Sequence, residues 1–473
     1  MARILALDLG AESGRGVVGT LGDDGRLSLE EIHRFPNGPV RMGSTQYWDL
    51  PRLTAELDTA IEKAGEVQSL GVDTWGVDFG LIGSKGELVG LPVHYRDART
   101  NGFIEKVFDR VPQSEIFAQT GIQTMQLNTL FQLAALCETS PKLIDAADKL
   151  LFMPDLLHYF LTGEAKTEYT IASTSQLLDA KTRDWSDSLF SALGLPRQLF
   201  STPVPEGTRI GERRGVPVIA PGGHDTACAV AAVPAEGTGW AYLSSGTWSL
   251  LGLEVPQPIL TPDAAAANVT NEGGVAGTIR LLKNIGGLWL VQECRRAWAR
   301  LGDERSYDKL TRLAAEAMPL TAVIDPDHPS LLAPTDMPAA IRQLCLETGQ
   351  TPPEGIGATV RCCLDSLALK YRTVLDTLER LSGQKVTTLH IVGGGSQNRL
   401  LNQLAADATG RTVIAGPIEA TAIGNVLSQA LALGLIGSLA ELRAIVRASF
   451  PLETYTPDPA MTERFAALSA SGK

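Results

Sequence analysis

Residues 389–399 read Leu389-His390-Ile391-Val392-Gly393-Gly394-Gly395-Ser396-Gln397-Asn398-Arg399. A short apolar run passes into three glycines and then into the helical pattern of residues 400–405, which predicts a strand, a glycine turn and a helix. Glycines let a ligand approach the backbone closely, and a helix start offers free N–H groups. A tight connection in an α/β sheet explains the same pattern equally well, so other parts of the chain have to decide.

Two further glycine turns lie far upstream. Residues 10–16 follow an apolar run that predicts a strand at 3–9, and residues 245–247 follow another predicted strand. Both turns contain Ser-Gly and both are followed by a second strand, which we predict at 17–21 and at 248–253. The repeat predicts two related halves, each presenting a glycine hairpin.

Short strands alternate with helical patterns in both halves, which predicts an α/β fold. We place the domain boundary in the Gly-rich segment around residue 236, so that the domains are 1–236 and 237–473. Residues 254–277 are rich in Pro, Ala and Gly and predict a loop. Residues 359–381 predict the longest helix, because apolar side chains recur there every three or four positions.

Composition restricts the class of protein. The chain has 473 residues, 44% of them hydrophobic and 20% charged, with a net charge of −12 and no block of like charge. This balance argues against nucleic acid or an anionic membrane as a partner. None of the six cysteines forms a Cys-x-x-Cys pair, and no apolar run is long enough to cross a bilayer. We therefore expect a cytoplasmic protein with reduced thiols and no membrane or nucleic-acid partner.

Asp8 ends the first predicted strand, where an unpaired buried carboxylate would be costly. It is interpreted as a carboxylate that faces Mg²⁺ beside a phosphate-binding hairpin containing Ser13, Gly14 and Arg15. The alternative is an ordinary Asp turn cap. The hydroxyl-rich turn at 245–247 is the matching hairpin in the other half, or simply a turn.

The segment Gly223-His224-Asp225-Thr226 holds the best candidate for a general base. Asp225 stands where a strand passes into a helix, and the helix N-terminus favours an ionised carboxylate. Such a group can accept the proton of a hydroxyl that attacks a phosphoryl group. The alternative is that Asp225 is only a helix N-cap.

Asp73 and Asp78 flank Trp75 and Gly76. Paired carboxylates could indicate glycoside hydrolysis, but two residues five apart on a strand point to opposite faces. We interpret the segment as the wall of a sugar site, in which Trp75 stacks on the sugar or packs in the core and Gly76 leaves room for a hydroxyl.

At these residues the sequence resembles the FGGY family of carbohydrate kinases. The resemblance extends over almost the whole chain, in order, and rests on these stretches: residues 8–15, 71–79, 95–100, 223–226, 244–249, 283–292 and 391–398. It implies a duplicated ribonuclease-H-like fold, shared with actin and hexokinase, with ATP and sugar in the cleft between the two domains.

The resemblance also implies roles for single residues. The residues expected to contact ATP are Ala11, Glu12, Ser13, Gly14, Arg15, Thr247, Gln292 and Gly394. The residues expected to contact the sugar are Gly76, His224, Asp225, Thr226 and Asn284. Asp225 would be the proton acceptor, and Asp8 would face Mg²⁺. Glu12 departs from the small residue expected there, so its charge either points away from ATP or is neutralised by a neighbour such as Arg15.

Within the family the chain is most similar to the members that phosphorylate L-rhamnulose. We therefore expect an ATP- and Mg²⁺-dependent kinase that converts L-rhamnulose to L-rhamnulose 1-phosphate. Three alternatives stay open. They are a kinase for another sugar such as fuculose or xylulose, a non-catalytic ATP-binding module of the actin type, and a dinucleotide-dependent oxidoreductase. The last would need Gly or Ala at position 398, where this chain has Asn.

Overall fold

The computed structural model describes residues 1–332 and 334–470. The chain divides into two compact units. The first comprises Met1–Glu236, Glu254–Leu281 and Ala420–Ser449, and the second comprises Gly237–Leu253, Leu282–Glu419 and the described residues from Phe450 onward. The boundary predicted after Glu236 stays a prediction.

The strands, in chain order, are β1 (Ala2–Leu9), β2 (Ser13–Leu21), β3 (Leu27–Pro36), β4 (Pro39–Met42), β5 (Thr45–Trp48), β6 (Ser69–Thr74), β7 (Phe79–Ile82), β8 (Lys149–Phe152), β9 (Thr167–Glu168), β10 (Leu178–Asp179), β11 (Asp184–Trp185), β12 (Pro203–Val204), β13 (Arg209–Arg213), β14 (Val216–Ile219), β15 (Trp240–Ser245), β16 (Ser249–Val255), β17 (Thr270–Gly273), β18 (Ile279–Ile285), β19 (Thr388–Val392), β20 (Thr412–Ala415) and β21 (Glu453–Tyr455).

The α-helices are α1 (Leu50–Ala64), α2 (Phe103–Phe108), α3 (Gln113–Thr120), α4 (Thr129–Thr139), α5 (Pro141–Ala146), α6 (Met153–Thr162), α7 (Tyr169–Ala172), α8 (Asp187–Leu193), α9 (Asp225–Ala231), α10 (Pro262–Ala266), α11 (Trp289–Arg300), α12 (Tyr307–Glu316), α13 (Met337–Glu347), α14 (Gly355–Ser382), α15 (Arg399–Thr409), α16 (Ala420–Ala432), α17 (Leu439–Ser449) and α18 (Pro459–Ala470).

The main sheet of the first unit has the strand order β13-β14-β6-β1-β2-β3. β1 pairs antiparallel with β2 and parallel with β6, and β14 pairs parallel with β6. Every residue of β1 except Arg3 is buried, as expected for a strand covered on both faces. The carboxyl ends of β1, β6 and β14 therefore lie side by side, with Asp8 and Asp73 near the ends of β1 and β6 and a turn after Ile219.

Helix α1 shows how the sequence builds this layer. Asp49 caps its N-terminus by accepting a hydrogen bond from the Arg52 N–H, and a proline occupies its first turn. Leu53 and Leu57 lie four positions apart on its buried face and belong to the same hydrophobic cluster as Leu7 of β1.

In the second unit the strands follow the order β21-β20-β19-β15-β16. β15 pairs antiparallel with β16 and parallel with β19, and β20 pairs parallel with β19 and antiparallel with β21. The first unit has the same pattern about β1, so the duplication predicted from the two Ser-Gly turns is confirmed. The longest helix is also confirmed as α14, which packs against α12 and α15.

Two sequence predictions were wrong in detail. The segment 254–277, predicted as a loop, contains the helix α10 and the buried strand β17. The strand predicted from residue 17 begins at Ser13, because the glycines at 14 and 16 pair across the hairpin with Leu9 and Leu7. Among the described residues, no helix is long and apolar enough to cross a membrane.

Candidate active site

Three neighbouring strands bring charged side chains together at one sheet edge of the first unit. Asp8, near the end of β1, is in register with Arg15 on β2 and with Asp73 on β6. The Arg15 Nη2 donates a hydrogen bond of 2.5 Å to the Asp8 Oδ2. Asp8 is therefore a buried carboxylate paired with a cation.

Asp73 is fully buried beside this pair. Its Oδ2 accepts a hydrogen bond of 2.6 Å from the Asn425 Nδ2, and its Oδ1 has no hydrogen-bond partner among the described residues. Burial, together with the neighbouring charge of Asp8, raises the pKa of Asp73 well above its ordinary value. Asp73 therefore places a buried oxygen without a partner beside the Asp8–Arg15 pair.

The hairpin between β1 and β2 is held in shape by Asn37. The Asn37 backbone N–H donates to the Glu12 carbonyl oxygen at 2.9 Å, and its Nδ2 donates to the Gly10 carbonyl oxygen at 2.8 Å. Gly14 is required because a Cβ there would collide with the Phe35 ring. The Glu12 side chain is exposed, so its charge lies toward solvent and not within the core of the hairpin.

Asp225 is the first residue of α9, and His224 occupies the N-cap position. The interpretation of Asp225 as the N-cap is therefore wrong by one residue. Its Oδ1 accepts a hydrogen bond of 3.0 Å from the Thr226 Oγ1 and lies 3.4 Å from the His224 Nε2. With 28% of its side chain exposed, the carboxylate is accessible to a ligand.

The surroundings of Asp225 shift its acidity. Burial raises the pKa of Asp225 above its ordinary value, and the charge of Asp8 adds to this rise while His224 opposes it. A carboxylate that holds a proton more tightly is a better proton acceptor. The arrangement thus suits Asp225 to acid–base chemistry.

Sequence reasoning missed two residues that fix the His224 ring. The Glu272 Oε2 lies 3.2 Å from the His224 Nδ1, and the Arg280 Nη2 lies 3.1 Å from both of those atoms. The Arg280 side chain is wholly buried, and its Nε donates to the Gly273 carbonyl oxygen at 2.8 Å. Because a carboxylate can accept and a guanidinium can donate, the His224 Nδ1 faces a suitable group with or without its proton.

Glu272 stays ionised in this cluster. Burial alone would raise its pKa, but the charge of Arg280 and the contact with His224 lower it below its ordinary value. The only sequence signal was an acidic side chain within a Gly-rich segment predicted as a loop. A buried Glu and Arg cannot be matched to each other from the sequence alone, because nothing local links them.

Gly76 lies close to the turn that carries Asp225. The Thr74 N–H, at the end of β6, donates to the Gly223 carbonyl oxygen at 3.0 Å, so the segment after β6 and the turn before α9 are side by side. A Cβ at Gly76 would lie 3.3 Å from the Thr174 side chain. The structure thus places the segment that leads to Gly76 beside the turn that carries His224, Asp225 and Thr226 in the first unit.

Trp75 does not line an open wall. It is buried, with its ring centroid 3.9 Å from that of Trp48. Both indole Nε1 atoms donate to the Asp78 Oδ2, which also accepts from the Tyr95 N–H, and the Gln132 Nε2 donates to the Asp78 Oδ1. Burial raises the pKa of Asp78 to about 6. Of the two interpretations of Trp75, packing in the core is the one observed.

In the second unit, Thr247 and Gln292 lie together. The Gln292 Nε2 donates to the Thr247 Oγ1 at 3.3 Å, and the Trp289 N–H donates to the Thr247 carbonyl oxygen at 3.1 Å. The Gln292 Oε1 has no hydrogen-bond partner among residues 1–332 and 334–470. The Gln292 side chain is thus held through its Nε2, and its Oε1 is left to accept a hydrogen bond from a ligand.

The glycine turn after β19 lies against the turn after β15. Gly393 has a φ of 85°, and a Cβ at Gly395 would collide with the Ser245 side chain. At Gly394 an added Cβ would meet nothing within 4 Å. Gly393 is therefore needed for its backbone conformation and Gly395 for packing, whereas Gly394 leaves open space above the turn.

Asn284 is partly exposed near the end of β18. It lies three residues before Gly287, where a Cβ would come within 2.6 Å of the Ser249 backbone nitrogen. This close approach holds the segment 284–287 against the start of β16, the strand that follows Thr247.

Family models match both halves of the chain. The model described as "FGGY family of carbohydrate kinases, N-terminal domain" matches residues 4–230, and the corresponding C-terminal domain model matches residues 241–433. The chain belongs to the FGGY family of carbohydrate kinases.

Curated FGGY relatives are similar over almost their full length. A rhamnulokinase from Bacteroides thetaiotaomicron is 47% identical over 466 residues, covering 96% of this chain and 95% of the relative. A rhamnulokinase from Pectobacterium atrosepticum is 44% identical over 467 residues, covering 96% and 93%. Membership of this kinase family favours the kinase prediction over an oxidoreductase.

Solved structures of the FGGY fold agree with the architecture. The ligand-bound xylulose kinase from Lactobacillus acidophilus has a TM-score of 0.81 at 16% identity, covering 100% of this chain and 97% of that one. The Plasmodium falciparum glycerol kinase with ADP has a TM-score of 0.76 at 14% identity, with the same coverage. The predicted two-domain α/β fold is confirmed.

Proposed function

We propose that this chain transfers the γ-phosphoryl group of ATP to L-rhamnulose, forming L-rhamnulose 1-phosphate. The observation that carries the proposal is the 47% identity, over 96% of the chain, to a rhamnulokinase. Carbohydrate kinases of this family use ATP and a sugar, and the site in the first unit supplies a partly exposed carboxylate beside polar groups suited to both.

Asp225 is the proposed proton acceptor. Phosphoryl transfer to a hydroxyl needs in-line placement and late removal of the hydroxyl proton. The Thr226 hydroxyl and the His224 ring both meet the Asp225 Oδ1, which restricts the rotation of the carboxylate. The other oxygen of Asp225 is then the one left for the sugar hydroxyl.

The proposed sugar contacts are Gly76, His224, Thr226 and Asn284, in addition to Asp225 itself. His224 is supported by its fixed ring, because Glu272 and Arg280 hold one edge and leave the Nε2 edge beside Asp225. Thr226 is supported by its hydrogen bond to the same carboxylate. Gly76 is supported by its place beside the turn.

The proposed ATP contacts lie in or beside the glycine turns, except for Gln292, which is on α11 and bonds to Thr247. They are Ala11, Glu12, Ser13, Gly14 and Arg15 in the first unit, and Thr247, Gln292 and Gly394 in the second. Backbone N–H groups of such turns bind phosphate oxygens without needing a net positive charge. The unpartnered Gln292 Oε1 and the open space at Gly394 support a nucleotide contact in the second unit.

Asp8 is the proposed carboxylate for Mg²⁺. Among the described residues, no three His, Cys, Asp or Glu side chains are grouped as a metal site. This fits Mg²⁺, which is commonly held by one or two carboxylates together with substrate phosphates. Asp8 would hold the ion beside Arg15, and the unpartnered Asp73 Oδ1 belongs to the residue in register with Asp8 on β6. When bound, Mg²⁺ neutralises charge on the transferring phosphates.

The direct test is the product. Purified protein with ATP, Mg²⁺ and L-rhamnulose should form ADP and a sugar phosphate whose phosphorus-31 and carbon-13 spectra place the phosphate on O1. Formation of ADP without a sugar phosphate, or no ADP at all, would contradict the proposal. Since ATP is the phosphoryl donor, we also propose that the protein acts in the cytoplasm.

A further inference from the structure

The turn that carries Asp225 is held by hydrogen bonds from outside its own strand and helix. The Gly223 N–H donates to the Glu168 Oε2 at 2.9 Å, and the His224 N–H donates to the Thr170 Oγ1 at 3.2 Å. Glu168 and Gly223 are 55 residues apart in the sequence. A separate segment therefore sets the backbone immediately before Asp225.

The Glu168 carboxylate accepts four hydrogen bonds. It is fully buried and caps α7, where its Oε1 accepts from the Thr170 N–H at 2.8 Å. Its Oε2 accepts from the Thr170 Oγ1 at 2.7 Å and from the Ile171 N–H at 3.1 Å, in addition to the Gly223 N–H. The carboxylate thus joins the start of α7 to the turn by a fixed set of bonds.

The direction of the hydrogen bonds through Thr170 is also fixed. A threonine hydroxyl has one proton, and Thr170 gives it to the Glu168 carboxylate. Its oxygen is then free to accept from the His224 N–H, as observed. Glu168 therefore orients a hydroxyl that in turn holds the residue next to Asp225.

Gly223 provides a second, independent observation. A Cβ at this position would lie 2.7 Å from the Glu168 Oε2 and 3.3 Å from the Ile171 side chain. The backbone of the turn can reach the carboxylate only because position 223 has no side chain. Sequence and geometry therefore agree that the turn is built to rest on Glu168.

We infer that Glu168, acting through Thr170 and the backbone of Gly223 and His224, is a positioning residue that sets where the Asp225 carboxylate meets the sugar hydroxyl. The inference rests on the proposed role of Asp225. A displacement of about 1 Å in a reacting group can lower the rate by about 10²-fold. Loosening this support should therefore lower kcat, while the KM for ATP stays within about 2-fold.

Three substitutions separate positioning from general stability. Thr170→Val keeps the shape of the side chain but removes the hydroxyl, so it breaks the link to the His224 N–H. Thr170→Ser restores the hydroxyl. Thr167→Val is the matched control. Thr167 is as fully buried as Thr170, but its hydroxyl lies 3.1 Å from the Ser201 hydroxyl and, among the described residues, makes no hydrogen bond to the turn at 223–224.

We expect Thr170→Val to lower kcat by 10-fold or more, Thr170→Ser to recover it to within about 3-fold of wild type, and Thr167→Val to leave it nearly unchanged. Glu168→Gln should behave like Thr170→Val, because an amide offers one acceptor oxygen where the carboxylate offers two. Thermal melts of all four variants show that the folded protein is being assayed.

The failure of this inference and of the proposed function would look different. A wild-type protein that makes no sugar phosphate overturns the function. An active wild type with Thr170→Val and Glu168→Gln both within 2-fold in kcat overturns the positioning role alone. So does a fall in kcat for Thr167→Val as large as that for Thr170→Val.

Discussion

Replacing Asp225 by Asn removes the proposed base and changes little else. Asn keeps an oxygen that can accept from the Thr226 hydroxyl, so the local hydrogen bond of 3.0 Å survives. Because Asp225 is the first residue of α9 and not its N-cap, no capping bond is lost. Turnover should fall by about 10²-fold or more, which is the usual contribution of a general base.

The stability of this variant should not fall. The pKa of Asp225 is raised in the folded protein, chiefly by burial, so its stabilising contribution is present below the unfolded pKa and is lost as pH rises through the folded pKa. Near neutral pH the ionised side chain is thus a cost, and Asn removes it together with the repulsion from Asp8. The melting temperature at pH 7.5 should equal or exceed that of wild type.

The assay is kcat on L-rhamnulose by coupled ADP detection, beside a thermal melt and an ATP titration. In the wild type, kcat/KM should decline on the acid side with an apparent pKa above the ordinary Asp value of 3.8, since the base must be ionised to act. A variant that melts normally, binds ATP and turns over within a few-fold of wild type would reduce Asp225 to a structural residue.

Three further predictions concern other parts of the site. Gly76→Arg should raise the KM for the ketose far more than the KM for ATP. If a steady-state assay shows that both KM values rise equally, Gly76 does not belong to the sugar site. Gly395→Ala should weaken ATP binding and lower the melting temperature, because the added methyl group collides with the Ser245 side chain. Gly394→Ala should leave the melting temperature unchanged, because its methyl group meets no atom within 4 Å. Equal melting temperatures for the two variants would refute the packing argument. Glu272→Gln should destabilise the protein by about 3–5 kcal/mol because it leaves the buried Arg280 without a counter-charge, and denaturant unfolding that shows a loss below about 1 kcal/mol would contradict this.

The strand ends and glycine turns could be predicted from the sequence because their signals are local. An apolar run followed by Asp8 or by Gly393 is readable within ten residues, and the repeated Ser-Gly turn is readable by comparison of two such runs. The position of Asp225 relative to the helix start was wrong by one residue, since helix boundaries depend on geometry that composition does not encode.

The supports of the site could not be predicted in this way. Glu168, Glu272 and Arg280 contact the turn at 223–224 through the fold, and no spacing connects them to it in the sequence. Their burial is decided by strands that pair over long sequence separations. A buried acid in a predicted loop is a weak signal, and only the structure shows which partner makes it stable.

The most direct test of the central claim is the ratio of kcat/KM values across a sugar panel with ATP and Mg²⁺. L-rhamnulose, L-fuculose and D-xylulose would be compared with a reaction that contains no sugar, under one coupled ADP assay. We expect kcat/KM for L-rhamnulose to exceed that for each other sugar by at least about 10-fold, the effect of about 1.4 kcal/mol of transition-state binding, with little ADP formed without sugar. An equal or higher value for another ketose, or ADP formation independent of sugar, would contradict it.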